Sequence, residues 1–314
     1  MARSTPSPVT TTGTAAAAVP GRSLALHLLL SLRPAQWTKN LVIFAGLLFG
    51  RRLFEPVAVA KAIAAFAAFC ALSGVVYLLN DIADRDSDRQ HPLKAKRPIA
   101  SGALPVPIAL GAAFAIGVIA LAAAVAIGRG FAVVAAVYLT LQIAYSGTLK
   151  HVVIIDVLTI AIGFVLRAVG GAEAVNVEIS HWLLVCTILL ALFIALAKRR
   201  HEIVLLAGGA TSHRPILGEY SAYLLDQMIG VVTASTLISY IFYTISPETQ
   251  AKFGTPWLGL TIPFPLYGIF RYLYLVHQRE GGGSPADLLL ADRPLLICVA
   301  LWAIAVALII YRPI

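Results

Sequence analysis

One junction in this chain, between an apolar run and four carboxylates, reads Leu78-Leu79-Asn80-Asp81-Ile82-Ala83-Asp84-Arg85-Asp86-Ser87-Asp88. If the apolar helix continues at about 100° per residue, one arc of roughly 100° holds Asn80, Asp81, Asp84 and Asp88, and Asp86 points away. Like charges on one helix face at a membrane boundary are costly unless a cation lies between them, and oxygen ligands suit Mg²⁺. The pattern predicts a metal site. A solvated acidic cap, paired with Arg85 and Arg89, is the alternative.

The composition places this junction in a membrane protein. Of the 314 residues, 59% are hydrophobic and only 12% are charged, whereas soluble domains carry about 25% charged residues. The three cysteines lie singly in apolar runs, at Cys70, Cys186 and Cys298. They form neither a CxxC pair nor an even-numbered framework, which argues against a zinc site and a disulfide scaffold. We predict one polytopic unit without a nucleic-acid partner.

Apolar runs long enough to cross roughly 30 Å of hydrocarbon recur along the chain. They predict an all-α fold of nine transmembrane helices, at 35–53, 57–79, 105–127, 130–148, 152–172, 181–197, 226–246, 257–276 and 294–311. Residues 24–32 are more typical of an interfacial helix. Residues 1–23 lack the apolar core of a signal peptide and predict a disordered cytoplasmic tail, so that 24–314 form the membrane domain that would carry the active site.

The distribution of Lys and Arg predicts the orientation of these helices. With the amino terminus inside, cytoplasmic segments hold 16 of the 24 basic residues, external segments hold six, and Arg167 and Arg271 fall inside spans. The long polar loops 80–104, 198–225 and 277–293 then all lie on the cytoplasmic side. We therefore expect a multi-pass protein of the plasma membrane, with its amino terminus and its active site facing the cytoplasm.

The acidic junction resembles the signature of a known family. Asn80-Asp81-x-x-Asp84-x-x-x-Asp88 is similar to the NDxxDxxxD motif of the UbiA superfamily of intramembrane prenyltransferases, which also has nine spans and long cytoplasmic loops after helices two and six. The resemblance covers nearly the whole chain after the tail. It implies that this motif binds Mg²⁺, for which Mn²⁺ can substitute, together with a diphosphate.

The chain departs from that family after the sixth span, where a second motif, DxxxD, would hold another Mg²⁺. The sequence there reads Ala197-Lys198-Arg199-Arg200-His201-Glu202, and no DxxxD occurs before span seven. Three cations in this position favour a phosphate bound directly by protein charge. The alternative is a cluster of positive-inside anchors at a helix end. Glu219 and Asp226 are candidates to replace part of the missing motif.

Further segments resemble the actinobacterial phosphoribosyltransferase branch of the superfamily. They are Leu32–Asn40, His91–Gly102, Tyr145-Ser146, Lys150 and Asp156. This resemblance implies transfer of 5-phosphoribose from phosphoribosyl diphosphate to decaprenyl phosphate or a similar polyprenyl phosphate, a step toward the arabinose donor of arabinogalactan in the cell wall. One acidic face and many cations on one membrane side suit one metal-bound diphosphate and two further phosphates.

Charged residues inside a span are rare and usually line a cavity of the bundle. Asp156 and Arg167 lie eleven positions apart in span five, which puts them within about 20° of one helix face. We expect Asp156 to serve the substrate site with Lys150 or a ribose hydroxyl as its partner. Arg167 either joins it or extends toward the far interface.

The predicted site therefore has three groups. The metal ligands are Asn80, Asp81, Asp84 and Asp88, and the catalytic carboxylates are Asp81, Asp84, Asp88 and Asp156. The substrate-binding residues are Lys39, Asn80, Arg85, Lys94, Arg97, Tyr145, Lys150, Arg167, Lys198, Arg199 and Arg200.

Other functions remain open from the sequence. A UbiA-type enzyme that attaches a polyprenyl chain to an aromatic acceptor is the main alternative. A transporter is disfavoured because no inverted repeat is evident, and a CDP-alcohol phosphotransferase because the chain lacks a DGxxAR signature. The oligomeric state stays open, a homo-oligomer included.

Overall fold

A computed structural model describes residues 23–90, 94–205, 215–278, 288 and 291–311. Every regular element in these ranges is helical. The α-helices are α1 Leu24–Ser31, α2 Ala45–Phe49, α3 Pro56–Ala83, α4 Arg85–Gln90, α5 Val106–Ile127, α6 Arg129–Gly147, α7 Ile155–Ala174, α8 His181–Leu205, α9 Ala222–Ile245, α10 Pro247–Phe253, α11 Pro263–Gln278 and α12 Arg293–Ile310. Shorter 3₁₀ helices lie at Pro34–Phe44, Lys94–Lys96, Leu149–His151, Pro215–Glu219 and Trp257–Thr261. The all-α prediction is confirmed for the described residues, and the predicted tail, apart from Ser23, lies outside them.

Seven helices in this part of the chain are long and apolar enough to cross a membrane, namely α3, α5, α6, α7, α8, α9 and α12. The other two predicted spans are composite. In the first, the 3₁₀ helix Pro34–Phe44 continues into α2. At about 2.0 Å per 3₁₀ residue and 1.5 Å per α residue, these two elements extend for roughly 30 Å, close to the hydrocarbon thickness. The count of nine crossings remains a prediction.

Helix α7 lies at the centre of the bundle, with α3 beside it. It contacts α2, α3, α6, α8 and the 3₁₀ helix Pro34–Phe44. More than half of the apolar window is buried in α3 (61%) and in α7 (56%), against 22% in α5 and 17% in α6. The apolar surface of the outer helices therefore faces outward, as expected for contact with lipid.

Two glycines allow the first composite segment to approach α7. A Cβ atom on Gly171 would lie 2.0 Å from the carbonyl oxygen of Ile43, and one on Gly46 would lie 2.9 Å from the backbone of Gly171. Small residues at such crossings are typical of membrane helix packing. The approach places Asn40 of the 3₁₀ helix against Arg167 of α7, whose Nε donates to the Asn40 Oδ1 at 2.6 Å.

Candidate active site

The acidic junction is not one continuous helix. Helix α3 ends at Ala83, and Asp84 caps it with φ −90° and ψ 7°, before α4 begins at Arg85. The helical phase assumed from the sequence is therefore interrupted inside the motif. The prediction that Asp81, Asp84 and Asp88 converge on one face is wrong in that respect.

Two of the three carboxylates do converge. Arg97 Nη1 donates to Asp81 at 3.1 Å and to Asp88 at 2.6 Å. Both carboxylates are almost fully buried, with 3% of each side chain exposed. Arg33 also donates to Asp81, and the Lys94 ammonium lies 3.9 Å from Asp88. Because buried carboxylates need counter-charges, this pocket of Asp81 and Asp88 is held by cations that precede or follow the motif in the chain.

The third carboxylate faces another element. Asp84 is 43% exposed, and its Oδ1 lies 3.4 Å from Lys150 Nζ, just after the end of α6. Asp86 is 89% exposed and approaches only Arg89, at 3.7 Å, among the described residues. Its predicted outward orientation is confirmed. Asn80, the first residue of the motif, lies in the last turn of α3 and is half-buried.

The carboxylates of the acidic motif offer the oxygen ligands that Mg²⁺ prefers. Among the described residues, no three acidic, His or Cys side chains are gathered closely enough to hold a metal ion. Mg²⁺ in proteins commonly uses one or two carboxylates, with substrate phosphates and water completing the shell. Asp81 and Asp88, which already meet at one cationic nitrogen, fit that requirement.

Asp156 lies in a separate, fully buried cluster. Its Oδ2 accepts from Arg199 Nε at 3.0 Å and its Oδ1 accepts from the Tyr220 hydroxyl at 2.8 Å. Arg199 also donates to Glu202 at 2.8 Å. The predicted protein partner of Asp156, Lys150, is wrong, because Lys150 faces Asp84 and Arg199, which is 2% exposed, pairs with Asp156. The alternative partner, a ribose hydroxyl, stays a prediction.

The three consecutive cations in the last turns of α8 are therefore not an open phosphate site in this structure. Arg199 is enclosed by Asp156 and Glu202, and Lys198 lies 3.8 Å from Glu202. Arg200 pairs with Asp226 of α9, whose carboxylate also lies 3.2 Å from His277 Nε2. Glu202, three or four residues further along α8, pairs with Arg199 and Lys198. Asp156 and Asp226 reach Arg199 and Arg200 from helices distant in the sequence, and these pairings periodicity could not reveal. Asp226, one candidate to replace part of the missing motif, is thus occupied by an ion pair. The other candidate, Glu219, is exposed.

Arg167 points into the bundle rather than toward the far interface. Its Nε, Nη1 and Nη2 donate to Asn40 at 2.6 Å, the Gly163 carbonyl at 2.9 Å and the Tyr138 hydroxyl at 2.7 Å. The guanidinium is 7% exposed, and none of these partners is charged. All its nitrogens are occupied by protein oxygens, so the predicted contact with substrate is not made in this arrangement.

Two predicted substrate-binding cations differ from the rest. Arg85 Nε is buried and has no hydrogen-bond partner within the described residues. Lys39 is half-buried, and the charges that act on it are those of the cations Lys198, Arg167 and Arg33. A buried donor without an acceptor is costly, so Arg85 suits an anionic ligand. An anion would also offset the repulsion that neighbouring cations exert on Lys39.

The site is thus made from the ends of α3, α6, α7, α8 and α9 at one end of the bundle, linked by Asp84–Lys150, Asp156–Arg199 and Arg200–Asp226. Tyr145 lies near the end of α6, on the same side of the bundle. Sequence reasoning missed Arg33, Glu202 and Tyr220. Arg33 was within a quoted motif, but no spacing signal connects Tyr220 with Asp156, 64 positions away.

Comparison with known proteins fits this geometry. The model of the UbiA prenyltransferase family matches residues 40–288. The chain belongs to this family. Decaprenyl-phosphate phosphoribosyltransferase of Corynebacterium glutamicum is 32% identical, over 93% of this chain and 89% of the relative. The enzyme of the same name from Mycolicibacterium smegmatis is 31% identical, over 93% and 95%.

The fold of the UbiA family is also evident in solved structures. A UbiA homologue from Archaeoglobus fulgidus, bound to GPP and Mg²⁺, aligns with a TM-score of 0.71 over 92% of this chain and 99% of its own. The two sequences are 20% identical, so this likeness concerns the fold alone. The predicted resemblance to the family is confirmed.

Proposed function

We propose that this protein transfers 5-phosphoribose from phosphoribosyl diphosphate to decaprenyl phosphate, with release of diphosphate, in the synthesis of a cell-wall arabinan precursor. The identity of 31–32% to enzymes named for this transfer, across nine-tenths of the chain, supports it. The observation in the site that carries the proposal is the charge inventory. One acidic pocket is accompanied by Arg85, whose buried Nε has no hydrogen-bond partner among the described residues, and by Lys39, which is surrounded by other cations.

In this proposal, Asp81 and Asp88 hold Mg²⁺, with Asp84 and Asn80 at the edge of the same site. The cation would neutralise charge on the departing diphosphate. Mn²⁺, which accepts similar oxygen ligands, is the expected substitute. The support is the convergence of two buried carboxylates on one cationic position at Arg97.

The chain's own cations bind and orient the phosphates. Arg85 would donate its buried Nε to a phosphate oxygen of the donor, and Lys150 and Lys94 lie on either side of the acidic motif for the same purpose. Lys39, which the described residues leave without a carboxylate, would meet the phosphate of the lipid acceptor. Fixed cations of this kind stabilise charge that develops as the ribose–diphosphate bond breaks.

The acceptor needs no general base. A polyprenyl phosphate is already anionic at pH 7, so its oxygen can attack the anomeric carbon directly, from the face opposite the leaving diphosphate. That geometry inverts the configuration at the anomeric carbon through an oxocarbenium-like transition state. Asp156, saturated by Arg199 and Tyr220, would act by positioning its neighbours rather than by touching the ribose.

The second candidate is prenyl transfer to an aromatic acceptor, favoured by the description of the family and by a fold neighbour bound to GPP. Purified protein incubated with Mg²⁺, polyprenyl phosphate and phosphoribosyl diphosphate should yield polyprenyl-phosphoribose and diphosphate by mass spectrometry. Turnover of an allylic diphosphate with an aromatic acceptor, and none of phosphoribosyl diphosphate, would favour the second candidate.

A matched pair of variants tests the phosphate contact. Arg85→Gln should raise the KM for phosphoribosyl diphosphate by about ten- to a hundredfold, because a charge-assisted hydrogen bond contributes about 1.5–3 kcal/mol. Lys96→Gln, at an exposed position of the neighbouring loop, is the control and should change the KM little. Equal effects of the two changes would count against a specific contact at Arg85.

We further propose that the site faces the cytoplasm of the plasma membrane, as the basic residues predict. In a cysteine-free background, a cysteine at Ser101 should be labelled only from the cytoplasm and one at Ala251 only from outside. Both positions are exposed. External labelling of Ser101 would contradict the orientation and with it the supply of phosphoribosyl diphosphate from the cytoplasm.

A further inference from the structure

The turn between Lys150 and Asp156 contains a strained residue. Ile154 has φ 69° and ψ −43°, in the left-handed half of the Ramachandran plot. This conformation is unusual for a residue that is not glycine and is especially unfavourable for a β-branched one. Strain of this kind persists only where surrounding contacts fix it, and it is concentrated at functional sites.

The contact that fixes Ile154 comes from a distant part of the chain. The Ile154 amide donates to the hydroxyl oxygen of Tyr220 at 2.7 Å. The same hydroxyl donates its proton to Asp156 at 2.8 Å. One buried oxygen therefore accepts from the strained residue and donates to the carboxylate two positions later, which ties both sides of the α7 amino terminus to the segment before α9.

Tyr220 is well suited to this role at physiological pH. Its side chain lies in the apolar cluster that also contains Val157, Phe193 and Tyr272. Burial, and to a lesser degree the hydrogen bond to Asp156, raise the pKa of Tyr220 to about 12. At physiological pH the hydroxyl therefore keeps its proton and donates a hydrogen bond to Asp156.

The strained turn connects directly to the acidic motif. Lys150 lies four residues before Ile154, in the 3₁₀ helix Leu149–His151, and it faces Asp84 at 3.4 Å. This 3₁₀ helix packs against the 3₁₀ helix Pro215–Glu219, which ends immediately before Tyr220. The position of the Lys150 ammonium thus depends on a turn whose conformation Tyr220 fixes.

We infer that Tyr220 is a positioning residue for the diphosphate-bearing donor: its hydroxyl holds the turn at Ile154 so that Lys150 stands at the acidic motif. The inference rests on the proposed function for the identity of the donor. It predicts that Tyr220 contributes to donor affinity without touching the donor.

The test compares two tyrosines of one apolar cluster. Tyr220→Phe keeps the ring and removes both hydrogen bonds. Tyr272→Phe is the matched control, because the Tyr272 hydroxyl is buried without a partner in the described structure. Amide hydrogen exchange of residues 149–156 and the KM and kcat for donor and lipid are measured for both variants and for the wild type.

The expected result separates positioning from general stability. Tyr220→Phe should accelerate exchange in residues 149–156 and raise the donor KM, each by about tenfold at most, as loss of a hydrogen bond allows. The lipid KM and kcat should each change by less than about twofold, because the inferred role of Tyr220 concerns donor affinity alone. Tyr272→Phe should leave exchange and donor KM at wild-type values.

Several results would overturn the inference. Wild-type exchange of residues 149–156 as fast as that of an open loop would show that the hydroxyl does not protect Ile154, and this measurement depends on no variant. Faster exchange with an unchanged donor KM would reduce Tyr220 to a structural role. Donor identity is settled separately, because the same constants can be measured with phosphoribosyl diphosphate or with an allylic diphosphate, whichever the wild type uses.

Discussion

Arg199 offers the sharpest test of how the site is built. The sequence predicts that its guanidinium binds a phosphate, whereas in the structure it lies between Asp156 and Glu202 with 2% of its side chain exposed. Because this guanidinium compensates buried carboxylates, Arg199→Met should reduce stability first, and any loss of donor affinity should be secondary.

The magnitude follows from burial. Removing one member of a buried ion pair leaves the other charge without compensation and costs about 3–5 kcal/mol. Asp156 has 0% exposure, so solvent cannot replace Arg199, although the Tyr220 hydroxyl still donates to it. Such a loss corresponds to a fall in melting temperature on the order of 10 °C. Arg200 and Asp226 are more exposed, at 17% and 36%, and Arg200→Met should cost about 1 kcal/mol or less.

Thermal unfolding of the purified protein, measured with both single variants and one double variant, completes the assay. Asp156→Asn combined with Arg199→Met removes both buried charges and keeps an acceptor for Tyr220, so it should recover most of the lost stability. A wild-type melting temperature for Arg199→Met, together with a raised donor KM, would refute the buried pair and restore Arg199 as a phosphate ligand.

Two further predictions concern the acidic motif and the central crossing. Asp88→Asn should abolish most transfer and its response to Mg²⁺, because Asp88 is one of the two proposed metal ligands. Asp86→Asn, at a side chain 89% exposed, should lose less than about tenfold, since exposed pairs contribute little. Metal titrations of activity compare the two variants, and equal losses would contradict the assignment. Gly171→Ala should lower the melting temperature, because the added Cβ would lie 2.0 Å from the carbonyl oxygen of Ile43. Gly111→Ala, with open space around it, should not. Equal melting temperatures of the two variants would exclude the close approach of the first segment to α7.

The sequence predicted local features well, because they depend on neighbours in the chain. The apolar runs that became α3, α5 and α7 were long and uniform enough to be identified within a few residues. Asp86 was correctly placed away from its neighbours. The spans follow from the length and composition of apolar runs, which need no tertiary information. The outward position of Asp86 was correct although the continuous helix from which it was predicted is interrupted at Asp84.

The sequence could not predict where that periodicity stops. The break at Asp84 falls between two residues that are compatible with helix, and it turns this carboxylate toward Lys150 in the 3₁₀ helix after α6. Likewise, the first span mixes 3₁₀ and α geometry because Gly46 and Gly171 allow a close crossing with α7. Tertiary contacts decide both features, and propensity alone has no access to them.

The partners of the buried charges were the least predictable part of the site. Periodicity placed Asp156 and Arg167 on one face of α7, and the structure buries both. It could not say that one meets Arg199 while the other meets uncharged oxygens. A sequence shows how many charges a site contains, but burial requires that most of them be compensated within the protein. The proposed function therefore places the substrate phosphates at Arg85 and Lys39, for which the structure shows no such compensation among the described residues, and not at the conspicuous basic run near the end of α8.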